Sequence, residues 1–139
     1  MSAAMATSLL AASPAAASTN QVSLSAATQS TCSGDWDYGG YQFGHYKGNI
    51  YVPSTTHVTD AGLEAQCLLR LWNSIFPDEI SHPGPLDGVF GPMSQTSMED
   101  LQRWVNEYRG GNPDGDDLDV DGLPGPQSWG DLRHPPLEE

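Results

Sequence analysis

The side chains with the clearest chemical potential are four histidines, eighteen carboxylates and two cysteines. A zinc hydrolase needs two or three ligands on rigid elements, with a general base beside them. His45, His57, His82 and His134 have no such short spacing, and each falls in a loop-like context. The serines cluster in terminal stretches and at helix starts, away from any nucleophile pattern. No G-x-x-x-x-G-K phosphate loop is present. Asp117, Asp119, Asp121 and Gly122 reproduce the D-x-D-x-D-G opening of a calcium loop, but its twelfth position is Ser128 rather than a bidentate Glu. A solvated acidic loop is the main reading of that stretch, with weak calcium binding as the alternative. The sequence predicts no catalytic residue, no metal, no cofactor and no enzyme activity.

Cys32 and Cys67 are 35 residues apart, too far for a compact ligand or redox pair. In an exported protein two such cysteines pair, which closes a loop worth ~3–4 kcal/mol by chain entropy. The N-terminus supports export. Ser2 to Ala17 is uncharged and rich in Ala, Ser, Leu and Thr, and Ala15-Ala16-Ala17 forms a small-x-small cleavage pattern. A basic n-region is missing, because the first basic residue is Lys47. The stretch is also too polar to be a span of ~20 apolar residues. The expected location is therefore secreted or extracellular.

The elements that must position these groups occupy little chain. The 139 residues carry 15 Gly and 11 Pro, and five basic residues face 18 acidic ones for a formal charge of -13. Such a surface repels nucleic acid and anionic membranes, and the length leaves little room for a catalytic domain beside a binding module. The reading divides the chain into a signal-peptide remnant over 1–17, a linker over 18–31, one domain over 32–134 and a tail over 135–139. Trp36, Tyr38, Tyr41, Phe43, Tyr46 and Tyr51 lie among glycines, which predicts an irregular loop or a short hairpin. Of these, Trp36, Tyr38, Tyr41 and Tyr46 either pack across the helices or offer a face to a sugar ring.

Helical spacing begins after Thr59 or Asp60, runs through Leu63, Leu68, Leu69 and Trp72, and stops at Pro77. A second helix starts at Pro92, carries Met98, Leu101, Trp104, Val105 and Tyr108 on its apolar face, and ends at Gly110-Gly111. A short third helix runs from Pro126 to the Pro135-Pro136 block and carries Trp129 and Leu132. The predicted class is all-α: a small three-helix bundle without a convincing sheet, with the aromatic segment tied on by the disulfide.

One repeat stands out. Asp87-Gly88-Val89-Phe90-Gly91-Pro92-Met93-Ser94 recurs 34 residues later as Asp121-Gly122-Leu123-Pro124-Gly125-Pro126-Gln127-Ser128. Each copy precedes a helix: Asp bonds nearby amides, Gly permits positive φ, and Pro pre-sets the first helical turn. With Ala65-Gln66-Cys67-Leu68-Leu69 on the first helix and Met98, Leu101 and Gln102 on the second, the span from Asp60 to Arg133 resembles the peptidoglycan-binding domain family. Two departures are Gly62, where that family usually has Val, and a longer acidic loop from Gly110 to Asp119.

The resemblance implies a three-helix fold, non-catalytic binding of peptidoglycan through its stem peptide or glycan, and so association with a cell wall. It also implies a bridge between Cys32 and Cys67, as in family forms with Cys after the first-helix Gln. Its candidate ligand-binding residues are Asp87, orienting the turn; Phe90, presenting an apolar contact; Gln102 and Tyr108, supplying polar contacts; and Trp129, framing a groove. The alternative is a protein-interaction module that docks a basic secreted partner on the acidic loop 112–121.

Overall fold

A computed structural model describes residues 32–37, 40–110 and 117–136 of the chain. The expected signal-peptide remnant, the linker, the core of the acidic loop and the last three residues lie outside them. The described part is small and mostly helical. Strands β1 (Asp35–Asp37) and β2 (Gly40–Gln42) precede helices α1 (Asp60–Ile75), α2 (Pro92–Tyr108) and α3 (Trp129–Leu132).

Local chemistry accounts for the helix ends. Thr59 is extended, and its hydroxyl accepts from the Gly62 amide at 2.9 Å, capping α1. Pro77 has no N–H to continue the ladder, so α1 finishes at Ile75 with Phe76 as its cap. Pro92 occupies the first turn of α2, as its fixed φ favours. The third helix starts three residues later than Pro126, because 126–128 form a turn whose Trp129 amide reaches back to Gly125 O at 3.0 Å.

The core lies between these helices. Leu68, Leu69 and Trp72 of α1 meet Met98, Leu101 and Val105 of α2 and Trp129 and Leu132 of α3. Each fully buried side chain of this kind contributes ~1.5–3 kcal/mol of transfer free energy. The two buried indoles also satisfy their N–H groups: Trp72 Nε1 donates to Leu132 O and Trp129 Nε1 to Tyr51 O, both at 2.8 Å. Trp104 is half-buried, edge-on to Trp72 with ring centroids 5.2 Å apart.

The purely helical expectation needs one correction. β1 and β2 pair antiparallel, with Trp36 opposite Tyr41, so the aromatic segment opens as a hairpin. The sheet is three residues deep on each side and lacks the length that gives a clear alternating pattern. The Cys32–Cys67 disulfide fastens the hairpin to α1. The Tyr41 amide donates to Arg133 O at 2.6 Å, which also joins β2 to the end of α3.

Candidate functional site

The repeated turns are held by one device used twice. Gln66, projecting from α1, accepts from the Gly88 amide at 2.8 Å through Oε1. Its Nε2 donates to Asp87 Oδ1 at 3.2 Å, to Val89 O at 2.9 Å and to Ser94 Oγ at 3.0 Å. Asp87 Oδ1 also takes the Val89 amide at 3.0 Å. Gln102 of α2 does the same for the second turn. Its Oε1 accepts from the Gly122 amide at 2.9 Å, and its Nε2 donates to Asp121 Oδ1 at 3.0 Å and Leu123 O at 3.2 Å. Asp121 Oδ1 then takes the Leu123 amide at 3.0 Å. A primary amide is the side chain for this task, because it offers both an acceptor and two donors.

Both turns require glycine at their second residue, with φ of +79° at Gly88 and +77° at Gly122. Gly62 has a local reason as well. A Cβ there would fall 2.2 Å from Gly88 O, so α1 can lie this close to the turn only without a side chain. The Thr59 amide bonds the same carbonyl at 3.0 Å.

A cleft lies beside each clasp. The first, of about 220 Å³, has Gln66, Asp87, Val89 and Ser94 on its wall and the exposed Met93 on its rim. The second, of about 270 Å³, is bounded by Gln102, Asp121, Leu123 and Ser128, with Val52 and Asp119 alongside. Val52 continues an exposed apolar run with Ile50 and Tyr51.

The five residues expected to bind ligand do not converge. Asp87 and Gln102 reach different clefts, and both are engaged in the clasps. Phe90 presents no apolar contact: it is fully buried, because the turn folds its ring into the core. Trp129 is likewise fully buried, under Tyr46 at 5.2 Å and Arg133 at 5.0 Å, so it supports the surface from beneath rather than framing it. Tyr108 is exposed and borders a third cleft with Glu79, Trp104 and Glu107. The negative charge of Glu107, then of Glu79, raises its phenol above the ordinary value.

The aromatic segment divides as its two readings allowed. Tyr41, Phe43 and Tyr46 pack against the core, whereas Trp36 and Tyr51 remain exposed. What ties the segment down is a group that sequence spacing did not single out. Arg133, fully buried, donates to Glu64 Oε2 at 2.9 Å, to Gln42 Oε1 at 3.0 Å, to Asn49 Oδ1 at 3.1 Å and to the carbonyls of Tyr41, Tyr46 and Gly48. Glu64 in turn accepts the amides of Phe43, His45 and Tyr46. The only hint was a carboxylate inside the apolar run of α1.

A second buried carboxylate, Asp131, faces Arg109 at 3.5 Å, and its Oδ2 has no hydrogen-bond partner. Burial raises its pKa above the ordinary carboxylate range, with Arg109 opposing that shift. Among the described residues no group of three His, Cys, Asp or Glu is arranged to hold a metal ion. Residues 112–116 of the acidic loop lie outside the described residues, while Asp117 and Asp119 are exposed. No described helix is long and apolar enough to cross a membrane. Comparison of the chain with protein-family models, curated proteins and solved structures finds no match.

Proposed function

We propose that the chain is a secreted, non-catalytic module that binds peptidoglycan, on a small three-helix fold of the peptidoglycan-binding type. The observation that carries this reading is the doubled clasp. The two turns whose residues bear the family resemblance are gripped by the two glutamines that the same resemblance places on α1 and α2. Sequence likeness at separate places thus coincides with one recurring hydrogen-bond pattern. The disulfide agrees with an oxidising compartment.

Binding in this reading occurs in shallow clefts beside the turns. Asp87 and Gln102 shape them, Phe90 and Trp129 stiffen them from below, and the exposed aromatics widen the contact. A charge of -13 gains nothing from anionic wall polymers, so affinity is modest and added salt weakens it little. The test is retention of the purified protein on peptidoglycan stripped of teichoic acid, at low and at high salt. Retention at both supports the proposal. No retention at either ends it, and retention lost only at high salt marks charge-driven adsorption.

A further inference from the structure

The two clefts occupy the same place in the repeat. Gln66, Asp87, Val89 and Ser94 line the first, and their counterparts Gln102, Asp121, Leu123 and Ser128 line the second. One acceptor left to a ligand is also the same in both. The Gln amides are occupied by the clasps. The Ser94 hydroxyl donates to Pro83 O at 2.8 Å, and Ser128 Oγ takes the Gly125 amide at 3.1 Å. Both bonds to Asp87 fall on Oδ1, and so do both bonds to Asp121. Each cleft therefore retains a carboxylate oxygen, Oδ2, beside an aliphatic side chain.

We propose that these are two sites for one chemical element of the ligand, a primary ammonium on an aliphatic stem. The stem would lie on Val89 or Leu123 while the ammonium bonds Asp87 or Asp121. A cleft whose shared open atom is anionic disfavours carboxylate and phosphate groups. It favours a cationic donor, whose hydrogen bond to carboxylate is about twice as strong as a neutral one. In peptidoglycan that group is the side-chain amine of the diamino acid in the stem peptide, so this assignment rests on the wall-binding reading. The two sites are not identical. Asp119 adds a second carboxylate to the larger cleft, which makes it the tighter one.

The experiment titrates the ¹⁵N-labelled full chain with the stem peptide L-Ala-γ-D-Glu-L-Lys-D-Ala and with its Nε-acetyl-lysine form. Two groups of resonances report: the Gln66 side-chain amide with Gly88 and Val89, and the Gln102 side-chain amide with Gly122 and Leu123. Both groups shift, the second at lower peptide concentration, and acetylation weakens both by about tenfold as the charge-assisted bond is lost. D87N silences the first group alone and D121N the second alone. Should either Asn variant unfold, M93R and Q127R, on the rims outside the clasps, place a guanidinium beside the same carboxylates and give the same result. Shifts in one cleft only, in neither, or undiminished by acetylation overturn the proposal. Retention on peptidoglycan without peptide shifts removes the clefts and leaves wall binding. Peptide shifts in both clefts without retention do the reverse.

Discussion

Replacing Arg133 by Met tests whether the buried ion pair organises the hairpin and the loop behind it. The guanidinium serves six acceptors: Glu64, Gln42, Asn49 and three main-chain carbonyls. Methionine fills similar volume but donates to none of them. Removing one partner of a buried pair costs ~3–5 kcal/mol, because the remaining charge is left without compensation. Domains of this size have a total stability of ~5–15 kcal/mol, so the loss is a large share. Glu64 keeps its three amide donors, which holds the figure near the lower end of that range. Urea unfolding followed by tryptophan fluorescence measures it. We expect R133M to lose at least about 3 kcal/mol. The R133M/E64Q double variant should be less destabilised than the sum of its single changes by more than ~1 kcal/mol, since no buried charge then remains. A loss below ~1 kcal/mol for R133M would show that water or the loop itself satisfies these groups, and the account of the hairpin's attachment would be wrong.

Four further outcomes follow from the same geometry. Serine at both Cys32 and Cys67 should lower stability by about 3–4 kcal/mol for a 35-residue loop, read as the fall in melting temperature matched by adding reductant to the parent protein. Gly62→Ala should destabilise by ~1–3 kcal/mol through its clash with Gly88 O, despite the better helix propensity of Ala, and an unchanged or raised melting temperature would contradict the close approach. Gln66→Ala and Gln102→Ala should each cost ~2–4 kcal/mol by leaving buried turn groups unpaired, with the larger loss at Gln66, which also holds Ser94. Asp131 has a folded pKa raised by burial, so the folded state binds its proton more tightly than the unfolded chain does. Its contribution is therefore fully present below the unfolded carboxylate value and is lost as pH rises through the folded one. The stability of Asp131→Asn relative to the parent should rise between pH 3 and pH 7; a flat difference in paired urea titrations would refute this.

How far the sequence carried the fold depended on how local each cause was. Thr59 as a cap, Pro77 as a stop and Pro92 as a first-turn residue act within a few positions, so α1 and the start of α2 are legible directly. The offset-34 repeat is legible too, but not what it is for. That Gln66 and Gln102 grip the following turns depends on helices packing at a distance of about twenty residues along the chain. Phe90 illustrates the reverse error. An aromatic in a glycine-rich turn resembles a surface contact, yet Gly88 at positive φ folds the segment so that the ring points inward. Glu64 and Arg133 are 69 residues apart, and neither neighbourhood announces the other. As for the candidate site, its carboxylates and glutamines could be named in advance; their division between two clefts could not.

The bond between Tyr41 and Arg133 has a mechanical consequence. The first strands and the last helix of the described chain are fastened to each other, so domains fused before Cys32 and after Pro136 would emerge close together. Tension applied between such fusions would enter α1 directly through the Cys32–Cys67 bridge, which leaves 33–66 as a covalently closed loop off the load path. The opposing pull would act on the end of α3, where the Arg133 bonds to Glu64 and to 41–49 carry it. Under load the molecule should behave as a clasp that opens at its C-terminal edge, with the hairpin still held by the bridge.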